Sequence, residues 1–177
     1  MNPKKHDIVE VSSSDKSTLK EIGQFRIEIW RKEGGVAEEL FGDGVWLDDM
    51  DAIARHWIIR DDDQSIVAVS RLTVHETLHD NPDGYLWEKE NKVLPEPVAN
   101  ISKLAVHEKM RGRGIASELN SLRIQKAKEM GCKSMIVTAS TANARLLISK
   151  HGFKDTGIRV IFPNRPTVEF LGLELIF

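Results

Sequence analysis

The stretch Met110-Arg-Gly-Arg-Gly-Ile-Ala-Ser117 sets two glycines and two arginines between a segment that reads as a strand, "SKLAV", and one that reads as a helix, "IASELNSLRIQKAKEM". A helix N-terminus presents unpaired N–H groups and a partial positive charge. Gly112 and Gly114 let an oxygen-rich group come close to those N–H groups, and Arg111 and Arg113 add fixed charge. The chemistry this composes is a seat for a phosphate or diphosphate. The spacing is not Gly-x-Gly-x-x-Gly, because Ser117 stands at the third position, and no Gly-Lys-Ser/Thr follows to make a P-loop. Taken alone, the loop reads equally as a tight turn with a solvated arginine face.

A second motif competes for attention. His75-Glu76-Thr77-Leu78-His79 spells His-Glu-x-x-His, the spacing of zinc hydrolases. That chemistry needs both histidines on one helical face and a third ligand, here Glu88 or Glu90. The first histidine closes a β-branched run and Pro82 follows soon after the second, so a full helix does not fit. The one cysteine, Cys132, comes between Gly131 and an apolar run and reads as a small core residue. A lone thiol makes no internal disulfide, which suits a reducing compartment.

The elements that must position these residues follow from period and punctuation. "DIVEVSSS" is a short strand. A helix follows, capped by Ser17 or Thr18, with Glu21 at N3 in the latter case; Leu19, Ile22 and Ile29 mark its apolar stripe, and it stops near Gly34-Gly35. A short helix and a loop occupy "VAEELFGDGVWLDDMDAIA". "HWII" and "SIVAVSRLTV", joined by "DDDQ", form a hairpin. Turn signals fill the next stretch, including Asn81-Pro82-Asp83-Gly84. Then come the strand "NISKLAVHE", the glycine stretch, and a helix from about Gly114 to Met130 ended by Gly131. "KSMIVTAS" is a buried-type strand and "TANARLLISKHG" a helix closed by Gly152. Two last strands flank Pro163-Asn164-Arg165-Pro166. The order is that of one α/β domain, residues 1–177, with a mixed sheet.

Composition bounds the rest. A chain of 177 residues, 41% hydrophobic and 29% charged, has the balance of a soluble globular protein. Its net charge of −2 supplies no bulk field for nucleic acid or an acidic membrane, so neither is expected as a partner. The N-terminal "MNPKKHDIVEV" lacks the apolar run of a signal peptide, and no segment approaches the roughly 18 apolar residues of a membrane span. A cytoplasmic protein is expected. "VEFLGLELIF" is unusually apolar for a chain end; it suits strand pairing in a homodimer and, equally, a buried terminal strand.

Context settles the glycine loop. Arg111-x-x-Gly114-x-Ala116 after "LAVHEKM" closely resembles the acyl-CoA-binding motif of the GNAT superfamily of N-acetyltransferases, Arg/Gln-x-x-Gly-x-Gly/Ala after a strand reading "LAV". "TANARLLISKHGF" resembles the family's next motif, with Ala144, Leu147, Gly152 and Phe153 in place; together the two cover about residues 100–153. The resemblance implies a mixed, mostly antiparallel sheet of six to seven strands, flanked by about four helices and splayed apart at "SKLAV" and "SMIVT" around a bulge. It implies that backbone groups of the Leu104-Ala105-Val106 run pair with the pantetheine arm of an acyl-CoA. Amides of Arg111, Gly112, Arg113, Gly114, Ile115 and Ala116 would hold the diphosphate, with the Ser117 hydroxyl added and Asn143 near the pantetheine or adenine. No metal is implied.

The reaction implied is direct attack of an amine, on a small molecule or a protein, on the thioester of acetyl-CoA or another acyl-CoA. A base deprotonates the ammonium, and the Val106 N–H steadies the oxyanion. The base candidates are His107 and Glu108, with His56, Asp49 and Asp51 on the other side. The family's usual tyrosine acid is replaced by Ile148, and Tyr85, the one tyrosine, lies far off in sequence. That absence keeps a rival in play: a non-catalytic module that binds or senses acyl-CoA. A weaker resemblance reaches the subgroup of acyl-homoserine lactone synthases and N-acyl amino acid synthases. Arg26, Asp48, Asp51, Arg71 and Ser102 fall near that subgroup's positions, while Asn100 and Lys103 stand where it has glutamate and arginine. Arg71 reads as an ion-pair partner of those acids.

Overall fold

Val98–Val106 is one strand whose inward-facing alternation flips part-way along, and this positions everything else. The computed structural model describes residues 6–177, which form seven strands and four α-helices. In chain order they are β1 (Ile8–Val11), α1 (Lys16–Glu33), β2 (Arg55–Arg60), β3 (Ile66–His75), α2 (Gly84–Lys89), β4 (Val98–Val106), α3 (Ile115–Glu129), β5 (Ser134–Ser140), α4 (Thr141–His151), β6 (Lys154–Ile161) and β7 (Glu169–Ile176). One sheet runs β1-β2-β3-β4-β5-β7-β6, antiparallel at every pair except β4–β5. Residues 1–5, including the two N-terminal lysines, lie outside the described residues.

The expected elements are present, with two corrections. The cap of α1 is Asp15, not Ser17 or Thr18: its carboxylate accepts from the Thr18 N–H at 3.1 Å and from both hydroxyls. Those bonds hold the Asp15 pKa down at about 2. The turn-rich stretch after β3 also contains a helix, α2, which opens at Gly84. It forms because Trp87, fully buried, seats among Leu78, Leu94, Val98, Ile136 and Ile158; tertiary burial overrides a weak local pattern. The apolar chain end is accounted for by β7 lying inside the sheet, between β5 and β6.

Strands β4 and β5 pair through only three rungs, Val98–Ser134 to Asn100–Ile136, and then part. The departure coincides with a bulge. Val69 faces Ala105 and Arg71 faces Ser102, so Lys103 and Leu104 together stand opposite Ser70. Lys103 takes φ +53, a conformation that costs a side-chain-bearing residue about 1–2 kcal/mol. One added residue inverts the alternation of the strand. Ala99 and Ile101 pack under α3, whereas Ala105, of the same parity, packs under α1.

Arg123 on α3 holds this shape. It is fully buried, and its guanidinium donates to the carbonyls of Arg71 and Ser102 at 3.1 and 3.2 Å, one on each strand beside the bulge. It also donates to Leu119 O and to the Asn120 side chain. Arg123→Met would orphan these acceptors at about 1–3 kcal/mol each. Urea denaturation should show a loss of at least about 2 kcal/mol; an unchanged midpoint would mean that the bulge holds without the clamp.

Candidate functional site

Where β4 and β5 part, a cavity of about 480 Å³ opens, within the range of small-molecule sites. Its floor is Asn100 to Leu104 of β4 and Val137 to Ser140 of β5. Trp30 of α1 and Trp46 of the following loop form one side, Phe162, Arg165 and Phe170 another. The β6–β7 turn roofs it, reaching back across the gap: the Asn164 carbonyl accepts from the Ala37 N–H at 3.1 Å. The approach is close, since a Cβ on Gly35 would lie 2.3 Å from the Thr167 hydroxyl.

Two strips of charge face each other across this space. Asp83, just before α2, does not cap that helix; its Oδ2 accepts from the Thr138 hydroxyl at 3.2 Å and the Asn100 amide at 3.4 Å. One carboxylate thus bridges the two parting strands. On the α1 side, buried Asp51 accepts from Arg26 at 2.8 Å and pairs with Arg71 at 3.1 Å; Arg71 also pairs with Asp48. Burial would raise the Asp51 pKa, but the attraction of Arg26 and Arg71 outweighs it and holds the pKa at about 2. Lys103 lies 3.3 Å from Asp48, with its ammonium 4.3 Å from the centre of the Trp46 ring. Burial, then repulsion from Arg71, lower its pKa to about 8. His56 is fully buried; its Nδ1 faces the Arg26 guanidinium at 3.4 Å, which can only donate, so Nε2 carries the hydrogen toward Asp51 O at 3.1 Å. Burial lowers its pKa and keeps the ring neutral.

The glycine loop lies at the other end of the gap. Gly112 and Gly114 have φ of +75 and +83, and a Cβ on either would meet nothing within 4 Å. No side chain caps α3. Its first amides therefore face outward from a backbone that glycine makes accessible. Arg111 and Arg113 are exposed; Arg111 donates to Val106 O at 3.1 Å and pairs with Glu33 at 2.5 Å. Ile115 is buried in the core, anchoring the helix start, and Ala116 keeps the first turn small. The Ser117 hydroxyl meets His151 Nε2 at 3.1 Å, and Asn143 accepts from Asn120 at 3.3 Å while lining the cavity. The His107 N–H turns to Val67 O on β3, so by alternation along the strand Val106 turns its N–H to the gap.

Other sequence candidates fall elsewhere. His107 caps a short turn, its Nδ1 accepting from the Lys109 N–H at 3.2 Å; neither it nor exposed Glu108 lines the cavity. Asp51 and His56 are locked inside the ion-pair cluster, and of the five base candidates only Asp49 reaches the wall. Arg71 is the ion-pair partner its position suggested. The zinc arrangement is not formed: His75 ends β3 and bonds Thr73 at 2.9 Å, while His79 is exposed beside Glu88, so the two share no helix. Among the described residues no three His, Cys, Asp or Glu side chains gather to hold a metal ion. Cys132 is buried in the core. No described helix is long and apolar enough to cross a membrane. Asp83, Thr138, Arg123 and Arg165 carry no motif; only the fold brings them here.

Residues 21–153 match the sequence profile of the Acetyltransferase (GNAT) family. The chain belongs to this family. GNAT enzymes use acyl-CoA as cosubstrate. The fold is shared with solved structures at low identity. A GNAT acetyltransferase from Staphylococcus aureus Mu50 superposes with TM-score 0.62 at 15% identity, over 96% of this chain and 99% of the other. A CoA-dependent acyl-homoserine lactone synthase gives 0.71 at 14%, over 97% and 83%. An N-acyl amino acid synthase from uncultured soil microbes gives 0.66 at 11%, over 97% and 90%. A comparison with curated proteins finds no match.

The ion-pair cluster of this GNAT protein has a definite pH signature. Its depressed Asp51 pKa adds stability above the ordinary carboxylate pKa of 3.8, lost as pH falls toward about 2. Unfolding measured from pH 5 to 2 should show a decline of about 2 kcal/mol from this group. Asp51→Asn should cost about 3–5 kcal/mol at pH 7 and flatten that decline; an equally steep decline in the variant would assign it to other carboxylates.

Proposed function

We propose that this protein transfers an acyl group, acetyl in the simplest case, from acyl-CoA to the amine of a small-molecule or protein acceptor. The observation that carries the reading is one gap with two furnished ends: outward-facing amides at the start of α3, and a charged cavity beyond the bulge. The glycine-loop amides bind the diphosphate, and Leu104 and Val106 offer backbone groups to the pantetheine. The Val106 N–H receives the negative charge that develops on the carbonyl oxygen.

Only a neutral amine attacks a thioester, so a group at the acceptor end must take a proton. Asp83 is that group: its Oδ1 has no partner among the described residues, and Asn100 and Thr138 fix its orientation. No tyrosine donates to the departing thiolate, since Ile148 is half-exposed on α4 and Tyr85 lies on α2 outside the cavity. Protonation there falls to solvent. That same lack of an acid favours a second reading, an acyl-CoA sensor without turnover.

Release of free CoA thiol from acetyl-CoA across a panel of amines separates the two. Turnover of any amine establishes the enzyme; tight binding with no release for the whole panel establishes the sensor. Gly114→Glu should weaken acetyl-CoA binding by more than tenfold, measured by calorimetry, because a carboxylate would face the diphosphate. Its fold should survive with a loss of about 1 kcal/mol from the positive φ. Asp83→Asn should lower kcat by about 100-fold or more, the range for losing a general base, with little change in acetyl-CoA affinity. Full activity in that variant would move the base elsewhere.

A further inference from the structure

Arg165 sits in the β6–β7 turn with its side chain under the roof of the cavity. The turn is well seated: the Arg165 N–H donates to Phe162 O at 2.9 Å, and the Arg165 carbonyl accepts from Val168 at 3.1 Å. The residue is only 6% exposed. Among the described residues its guanidinium donates to nothing, has no carboxylate within ion-pair distance, and encloses an Nε with no acceptor. The nearby acid is Glu33, which is engaged by Arg111. A guanidinium this deeply buried with no carboxylate in contact is costly to hold, and folded proteins rarely leave one so. Arg26 and Arg123, buried more deeply still, both engage acceptors through their terminal nitrogens, although the Arg26 Nε likewise has none.

We infer that Arg165 is the anion-binding residue of the acceptor site, so that the acceptor is an amine that also carries a carboxylate. This rests on the acyltransferase reading. The guanidinium fork matches a carboxylate edge to edge. Phe162 and Phe170, with ring centres 5.5 Å apart, line the same wall and strengthen such a pair by keeping water from it. The coenzyme diphosphate is not the missing partner, because none of the loop residues from Arg111 to Ser117 lines this cavity. The same cavity is lined by Asp83, an acid suited to the ammonium. A cation and an anion furnishing one cavity suit a zwitterion such as an amino acid. A carboxylate could also arrive on the acyl chain of a dicarboxylic acyl-CoA, and the experiment separates the two sources.

With the full chain and acetyl-CoA, leucine, phenylalanine and glutamate are compared with their α-amides by CoA release. The acids should show KM at least about tenfold below the amides. Arg165→Gln should raise KM for the acids about 10- to 100-fold, with kcat much less affected, and bring the acid-to-amide ratio to about one; Arg165→Lys should recover part of it. The acetyl-CoA dissociation constant should stay the same. The same acids and amides, added without coenzyme, should differ in thermal stabilisation of the wild type and not of Arg165→Gln, which reads the inference apart from turnover. Equal behaviour of acids and amides in both assays overturns it while leaving the acyltransferase intact. An Arg165→Gln defect seen only with succinyl-CoA and an uncharged amine, or only in acetyl-CoA binding, overturns the assignment to the acceptor. Failure of the wild type to bind acetyl-CoA sinks the acyltransferase reading; stabilisation by the acids alone, dependent on Arg165, would still establish the anion site.

Discussion

The protein depends on a place where a β-ladder stops. A parallel pair of strands, carried on for its full length, would close the sheet and leave no gap. Here the ladder ends after three rungs, and an arginine from the helix above holds the carbonyls beside the bulge. The backbone groups that β4 and β5 no longer share become available to a substrate. The left-handed Lys103 shows that the geometry is imposed against local preference; strain of this kind persists when the surroundings over-determine it. The helix that clamps the bulge also opens with the free amides, so one rigid element fixes both ends of the site.

Buried charge supports the α1 side of the cavity. Arg26, Asp51, Arg71, Asp48 and Lys103 form a chain of alternating sign from beneath α1 to the cavity wall. Each charge compensates the next, which lets several ionised groups stay in a region poor in water. The chain ties the loop after α1, which carries Trp46 and Asp48, to β3 and β4. Arg165 is the exception on the other side of the gap: among the described residues no carboxylate is in contact with its guanidinium, and nearby Glu33 is held by Arg111.

Much of this was readable in the residues, for identifiable reasons. Hydrophobic period and glycine punctuation located the strands and the long helices, and the Arg111-to-Ala116 run named the family because backbone access to a phosphate demands small residues at fixed spacing. Helix α2 stayed hidden because six residues carry too little period, and Trp87 finds its pocket only once distant segments fold. The α1 cap was misplaced by two or three residues because Asp15, Ser17 and Thr18 all have suitable oxygens, and φ/ψ, not composition, chooses among them. Sequence proximity to β4 draws His107 and Glu108 toward the site, yet they stand in the turn after the strand and neither lines the cavity. Asp83 and Arg165 lie 82 residues apart; neither sits in a recognisable pattern, and only the closing of the roof loop sets them in one chamber.

The added residue in β4 has a consequence for how the gap and the interior can be separated. Remove one position between Asn100 and Val106 and the ladder with β3 could run on regularly: Val106 would still pack on the α3 side and Ala105 on the α1 side. What would go is the local swelling and twist of the strand beside the gap. The extra residue shapes the opening and is not demanded by the layers on either face, so a chain one residue shorter there could keep its interior and lose its cleft.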